Sequence, residues 1–344
     1  AEGDFDGSVM ITASHNPPSD NGLKVSRRGA LPVGYDSGLA EVEKRVAASA
    51  EKFPGGPSPQ AAALDGLAEY VAWLKARSPA IDAGFRYAVD CSNGMASIFA
   101  RELFPDAAAI LNATPDGAFP CHSPNPLKAE AREQLAACVR ERGLDCGVVF
   151  DGDADRCMFV DETGAFIQPD YLIPVLAETF PADAGKAVIH DVRTSRGAVG
   201  RLRERGFTPV MGKVGHAYAK VLLRETRAVC GGELAGHYYF RDFHFCDSGA
   251  WAALRILAAF AAARRAGETV SAFMKPISGK WANSGEVNFR VADKDAAIAR
   301  VLACAATLAA ERSRETMDGF RLEYDEGWIS VRPSNTEPYL RLLM

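Results

Sequence analysis

Asp151, Asp153 and Asp155 stand at i, i+2 and i+4 in the segment Asp151-Gly152-Asp153-Ala154-Asp155-Arg156, directly after the apolar run Cys146-Gly147-Val148-Val149-Phe150. On an extended loop at the end of a buried strand, carboxylates at this spacing can converge on one hard cation. Mg²⁺ takes oxygen ligands and keeps open positions for water or phosphate, so it is the cation the loop predicts. Decoration of a turn explains the segment poorly, because three like charges at one strand end repel each other unless a cation joins them. An EF-hand shares the three aspartates and the later Glu162, but its loop needs a glycine where Arg156 stands. It also needs flanking helices, whereas here an apolar strand precedes and Met158-Phe159-Val160 reads as another.

Three further segments carry chemistry. Thr12-Ala13-Ser14-His15-Asn16-Pro17 follows the strand-like Gly7–Thr12, and a serine at such a turn can act as a nucleophile or carry a phosphoryl group. The same residues are also good turn formers. Lys24 follows in Asn21-Gly22-Leu23-Lys24, close enough in sequence to serve that pocket as a cation or proton carrier. Gly231-Gly232-Glu233-Leu234-Ala235-Gly236-His237 offers backbone that a ligand can approach, one carboxylate and one imidazole. That set suits paired sugar hydroxyls, or else a tight turn around a buried histidine. Gly212-Lys213-Val214-Gly215-His216 is a similar loop between a strand and a helix. Arg332-Pro333-Ser334-Asn335-Thr336-Glu337-Pro338 presents a guanidinium fork, two hydroxyls and an amide, which fits a phosphate dianion and equally a capped turn.

The elements that must position these loops alternate. Phe53-Pro54-Gly55-Gly56-Pro57-Ser58-Pro59 reads as a linker. Beyond it come a strand at 87–90, a helix at 95–103, a strand at 108–111, a helix at 127–142 ending at Gly143, and the strand 146–150. The pattern repeats with strand 187–190, helix 196–205, strand 207–211, helix 216–224 and the strand entering Gly231-Gly232. A long helix, 247–266, follows. Such alternation predicts α/β units with mostly parallel sheets. After Lys275-Pro276 the pattern changes to strand 286–291, helix 296–312 and strands 320–324 and 328–331, a small α+β unit. The expected divisions lie near 57, 163 and 275, giving units 1–57, 58–163, 164–275 and 276–344.

Composition agrees with an ordinary folded chain. Of 344 residues 48% are apolar and 24% charged, a balance far from that of disordered chains. The net charge of −5, without a polybasic run, argues against nucleic acid or an anionic membrane as partner. The longest apolar candidate for a membrane span, 250–263, is interrupted by Arg255, and the acidic start Ala1-Glu2-Gly3-Asp4 lacks the basic region of a signal peptide. Eight scattered cysteines form no CxxC pair, which points to a reduced, cytoplasmic setting.

Taken together and in order, the serine loop, the carboxylate loop, the Gly-Glu-His loop and the Arg-Ser-Asn-Thr loop resemble the four motifs of the α-D-phosphohexomutases, the phosphomannomutase and phosphoglucomutase family. The resemblance spans essentially the whole chain. It implies three related α/β domains, the first of them truncated, and a small α+β C-terminal domain around a central cleft. It implies interconversion of hexose 1-phosphate and hexose 6-phosphate, of mannose or glucose, through a phosphoserine and a 1,6-bisphosphate. Ser14 would carry the phosphoryl group beside His15, and Asp151, Asp153 and Asp155, with Ser14, would hold Mg²⁺. Arg156 and Lys24 would flank the transferring group, and Lys24, Lys213 and His216 are the candidates for proton transfer. Glu233, Ala235 and His237 would line the sugar site, and Arg332, Ser334, Asn335 and Thr336 the site of the other phosphate. Glucose 1,6-bisphosphate or mannose 1,6-bisphosphate would act as activator, and hexose phosphates are the expected partners.

Two departures matter. Family members often carry serine at the position of Ala235, so one sugar hydrogen bond would be missing or pass through water. Most of the family's first domain lies before the serine strand, and a helix closes the chain after the phosphate loop. The chain is therefore expected to be a fragment that continues upstream of Ala1 and turns over poorly alone. Phosphoglucosamine mutase, and a non-catalytic module binding sugar phosphate or a divalent cation, are the competing readings.

Overall fold

The structure, a computed structural model, describes residues 5–49, 62–183, 185–279, 281–334 and 338–344. The linker at 53–59 and the residues Asn335 and Thr336 lie outside the described residues.

The first unit is a small antiparallel sheet, β1 (Gly7–Ile11), β2 (Leu23–Arg27) and β3 (Leu31–Pro32), followed by helix α1 (Leu39–Ala48). β1 is exposed along its whole length, and Val9, Ile11 and Leu23 turn more than half of their surface to solvent. Arg224 of the third unit holds this sheet, donating to the carbonyl oxygens of Gly29 at 2.9 Å and Ala30 at 3.1 Å.

The second unit runs α2 (Leu67–Arg77), β4 (Tyr87–Asp90), α3 (Ala100–Leu103), β5 (Ala109–Leu111), α4 (Glu130–Arg142), β6 (Cys146–Phe150), β7 (Cys157–Asp161) and β8 (Phe166–Ile167). Its sheet order is β5-β4-β6-β7-β8. The third unit runs α5 (Leu172–Glu178), β9 (Ala187–Asp191), α6 (Arg196–Glu204), β10 (Thr208–Gly212), α7 (His216–Thr226), β11 (Cys230–Gly232), β12 (Tyr238–Phe240), β13 (Cys246–Asp247), α8 (Gly249–Arg265) and α9 (Val270–Ser278). Its order is β10-β9-β11-β12-β13.

Both sheets correct the expectation of mostly parallel pairing. β4 pairs parallel with β5 and β6, but β7 and β8 return antiparallel. β9 pairs parallel with β10 and β11, and β12 and β13 are again antiparallel. The reason is loop length. A parallel return needs a crossover of about a dozen residues or more, while the carboxylate loop and the Gly-Glu-His loop are far shorter. Each can only close a hairpin.

The fourth unit is an antiparallel sheet in the order β14 (Val287–Arg290), β18 (Tyr339–Leu343), β17 (Trp328–Pro333), β16 (Phe320–Glu323), β15 (Ser313–Glu315), with helix α10 (Lys294–Leu308) against it. α10 starts at its Asp293 cap, whose Oδ1 accepts from Ala296 N at 2.9 Å. It ends four residues short of the expected 312, because Ala309 is extended and Arg312 N pairs with the Glu323 carbonyl of β16. The helix expected at 95–103 is likewise broken, into a 3₁₀ turn and the short α3. Phe99 leaves helical geometry at φ −121° and sets its ring edge-on to Phe150, 6.0 Å away. Pro276 lies inside α9 rather than ending it, so the division expected near 275 falls within a helix.

One continuous core joins the second and third units. Its centre is Trp251 on α8, in contact with Trp73 of the second unit at 4.9 Å and Phe240 of the third at 4.4 Å. Among the described residues no helix is long and apolar enough to cross a membrane.

His190 on β9 is buried and donates from Nδ1 to the Asp191 carbonyl at 3.1 Å. Burial, with the arginines Arg321 and Arg203 nearby, outweighs the Asp191 contacts and lowers its pKa to about 4. The unfolded chain therefore binds the extra proton first, and folded stability falls as pH drops from the ordinary histidine value towards 4. Between pH 6.5 and 5 this one group removes about 1.5 kcal/mol. His190→Asn, which keeps a donor for Asp191, is expected to flatten that acid slope in urea titrations. An unchanged slope would contradict the assignment.

Candidate active site

The four chemistry-bearing segments occupy equivalent places. The serine loop joins β1 to β2, the carboxylate loop β6 to β7, the Gly-Glu-His loop β11 to β12, and the arginine loop β17 to β18. Each is the turn of an antiparallel pair.

The serine loop is closed at its base by Thr12 N on the Gly22 carbonyl, 3.0 Å. Inside it Ser14 takes a left-handed conformation, φ 55°, which costs a non-glycine residue energy and recurs where a side chain must be aimed. Thr12 Oγ1 accepts from Ser14 N at 2.8 Å and donates to Asp153 Oδ2 at 2.9 Å, so one hydroxyl ties the serine loop to the carboxylate loop. Contact between the backbones is equally close. A Cβ on Gly152 would lie 2.4 Å from the Ser14 carbonyl oxygen, so only glycine fits there. Ser14 Oγ lies 3.1 Å from His15 Nδ1 and 3.4 Å from Arg156 Nη2. A recess of about 370 Å³ opens here, lined in part by Thr12, Ser14, Gly152 and Asp153.

Carboxylate oxygens of Asp151, Asp153 and Asp155 come within 4.8 Å of one another. Asp151 is fully buried and accepts from Arg156 Nε at 2.7 Å and Arg156 N at 3.1 Å. Burial pushes its carboxyl up to about 7, against the pull of the adjacent Arg156 charge. Lys24 Nζ, carried in by β2, donates to Asp153 Oδ2 at 2.7 Å and Asp155 Oδ2 at 2.6 Å. Burial raises the Asp153 carboxyl, yet the Lys24 charge and hydrogen bonds prevail and hold it below its ordinary value. Asp153 Oδ1 and Asp155 Oδ1 are buried without a hydrogen-bond partner. Two orphaned carboxylate oxygens in an all-oxygen donor set fit a hard divalent cation such as Mg²⁺.

The Gly-Glu-His loop packs directly on this cluster. Arg156 and His237 form a β-bridge, and a Cβ on Gly236, at φ 88°, would strike Met158. His237 Nδ1 sits 2.9 Å from Asp247 Oδ2 and 3.7 Å from Asp155 Oδ1. Burial lowers its pKa, but Asp155 and Asp247 outweigh that and leave it raised. Glu233 is buried, accepts from the Tyr239 hydroxyl at 2.7 Å and lies 3.8 Å from Arg193. Desolvation raises its pKa. Ala235, half-buried, occupies the loop's tip.

His216 opens α7 with its ring 6.1 Å from that of His237, and its Nδ1 is buried and unpartnered. Desolvation, then the Lys220 charge, lowers its pKa to about 4, so it is neutral. Lys213 lies over the Tyr218 ring, its Nζ 5.5 Å from the ring centre. In the fourth unit Arg332 Nη2 pairs with Asp318 at 2.9 Å while its Nε and Nη1 are buried without partners. Lys294 Nζ donates to the Ser334 carbonyl at 2.6 Å.

Sequence reading missed several members. Thr12 stood inside the serine motif and its role as a link was readable only from the fold. Asp247 and Lys220, paired at 2.7 Å, come from β13 and α7 and carry no local motif. Arg193 pairs with Asp191 at 2.7 Å and reaches Glu286 of the fourth unit at 3.5 Å.

Four α/β and α+β units whose hairpin loops bring a serine hydroxyl, an arginine and an oxygen-ligand cluster together have the components of a phosphoryl-transfer enzyme. Comparison with known proteins gives the family. Models of phosphoglucomutase/phosphomannomutase alpha/beta/alpha domains I, II and III match residues 1–53, 64–164 and 168–277, and the C-terminal domain model matches 286–344. The chain belongs to the phosphoglucomutase/phosphomannomutase family of enzymes. It is 37% identical to a protein named phosphohexose mutases from Xanthomonas campestris pv. campestris (strain B100), over 98% of this chain and 75% of that protein. It is also 37% identical, with the same coverage, to a phosphomannomutase of Salmonella typhimurium. The solved structure of a phosphoglucomutase/phosphomannomutase family protein from Burkholderia thailandensis superposes with a TM-score of 0.83 at 29% identity, covering 98% of this chain and 71% of that one.

Replacing Gly152 by alanine is expected to push the Ser14 backbone away from the carboxylate loop. Gly152 is itself buried between the two loops, so the variant should lose thermal stability as well as at least about 100-fold in turnover, as for a displaced reacting group. Asp153→Asn, which removes one oxygen anion and its pull on Lys24, is expected to weaken Mg²⁺ at least about tenfold in calorimetric titration. Unchanged affinity would remove Asp153 from the cation site.

Proposed function

We propose that the chain interconverts hexose 1-phosphate and hexose 6-phosphate, with mannose or glucose as the sugar, through a phosphoserine at Ser14 and a hexose 1,6-bisphosphate. The observation that carries this reading is the position of Ser14 Oγ, 3.4 Å from the Arg156 guanidinium and on a loop tied through Thr12 to Asp153.

The free hydroxyl of the sugar, at O1 or O6, attacks phosphorus. The bond from phosphorus to Ser14 Oγ breaks, the new bond to the sugar oxygen forms, and the hydroxyl proton leaves to a basic group of the cleft. After the bisphosphate turns end for end, Ser14 Oγ recovers the other phosphoryl group by the reverse step. Arg156 holds the transferring group electrostatically, and its own charge is fixed by Asp151. Asp151, Asp153 and Asp155, with the serine oxygen, would hold Mg²⁺, which when bound supplies neutralising charge at the phosphoryl oxygens. Glu233 and His237 hold sugar hydroxyls. Arg332, with two buried donors unpartnered, binds the phosphate not in transit, together with Ser334, Asn335 and Thr336. Of the groups considered for proton transfer, Lys24 lies in the carboxylate cluster, His216 beside His237 and Lys213 over the Tyr218 ring. Glucose 1,6-bisphosphate would prime the serine.

Incubation with Mg²⁺ and glucose 1,6-bisphosphate should add about 80 Da, the mass of one phosphoryl group, on the peptide containing Ser14. Ser14→Ala should lose at least about a thousandfold in turnover of mannose 1-phosphate and glucose 1-phosphate while still binding them. Retained turnover in Ser14→Ala would overturn the phosphoserine. A faster rate on glucosamine 1-phosphate than on either sugar would move the substrate to the amino sugar.

A further inference from the structure

The long helix α8 carries one charge in its buried stretch. Arg255 is only 8% exposed, and among the described residues it forms no ion pair. Its guanidinium stacks on Phe180 at 3.8 Å and lies 5.1 Å from the Trp251 ring. Nη1 makes two long contacts of 3.3 Å, to the carbonyl and hydroxyl oxygens of Thr179, and Nε is buried with no partner. Burying an arginine without a counter-ion is costly, and such a group is normally paired. The cost shows in its acidity, since burial lowers its pKa to about 10.

Arg255 lines a cavity of about 390 Å³ between α5, α8, α9 and the segment after α2, a size within the range of small-molecule pockets, about 300–1,000 Å³. Most of the remaining wall is apolar, from Val175, Ala258, Ala262 and Phe273. The carboxylates that also border it are already committed. Glu178 is held by Arg201 at 2.7 Å and Arg205 at 3.2 Å, and Asp82 by Arg265 at 3.2 Å. The walls thus offer one unpaired cation, Arg255, beside carboxylates already neutralised by other arginines, and almost no free polar group for sugar hydroxyls.

We propose that this cavity is a binding site for a small organic carboxylate on an aromatic or short aliphatic body, with Arg255 as its anion anchor. The carboxylate pairs with the guanidinium on the side not engaged by Thr179, and the apolar body fills the alanine-lined wall. Charge-assisted pairing of this kind is about twice as strong as a neutral hydrogen bond. The site is separate from the serine and carboxylate loops. α8 abuts the carboxylate loop at Gly249, where a Cβ would meet Ala154 O at 2.8 Å. Arg255 lies six residues further on, about 9 Å along the helix.

Isothermal titration with 3-phenylpropanoate and its neutral amide tests the proposal on the intact chain. The carboxylate is expected to bind saturably and the amide at least about tenfold more weakly. Ala262→Trp, a change at an exposed position that fills the cavity, should abolish binding of both. Arg255→Met should erase the preference for the acid, and excess glucose 1-phosphate should not displace it. Equal affinity for acid and amide, binding that survives Ala262→Trp, displacement by glucose 1-phosphate, or no saturable binding up to about 5 mM would each overturn it.

Discussion

Mutual repulsion of Asp151, Asp153 and Asp155 is the constraint around which the junction of the first three units is arranged. With their oxygens within 4.8 Å of one another, each pair of charges repels by about 3–4 kcal/mol at an effective dielectric of ~20. The fold answers with two cations from different elements. Arg156, next along the same loop, is spent on Asp151, and Lys24, from the neighbouring unit, spans Asp153 and Asp155. Two carboxylate oxygens still lack a hydrogen-bond partner. The cluster is therefore compensated well enough to fold and left open enough to take a divalent cation.

Because Lys24 and Thr12 both belong to the serine strand pair and both end on Asp153, the charge balance of the second unit also docks the first. Ser14 is aimed by that docking, by its left-handed backbone and by the absence of a side chain on Gly152. The third unit closes the same point from the other side, through the bridge of Arg156 to His237 and the seating of α8 against Ala154. The fourth unit is joined more loosely in chemical character. Arginines reach across to carbonyls and carboxylates, as Arg321 does to Val192 and Thr194 and Arg193 to Glu286.

Much of this was readable from the residues. The buried strand 146–150 and its three aspartates, the Gly143 cap, the repeated alternation and the four motifs in order were all local signals. They defined the fold class and the family before any geometry. Sheet direction was not readable from strand composition alone, because buried strands look alike whichever way they pair. Only the shortness of the loops after 150 and 232 decides it. Thr12, Asp247 and Lys220 escaped for a different reason, since their partners lie far away in sequence and no spacing rule links them. Lys213 shows the converse, since its glycine-flanked loop was legible in the sequence while its place over the Tyr218 ring was not.

The central claim is that Ser14 hands a phosphoryl group to a hexose phosphate and takes one back. It is tested most directly by loading the protein with ³²P at Ser14, removing free label, and adding unlabelled mannose 1-phosphate or glucose 1-phosphate with Mg²⁺ in a rapid quench. Label should leave the protein into hexose bisphosphate first and appear in hexose 6-phosphate afterwards. Label that stays on the protein, or departs only as inorganic phosphate, would contradict the account.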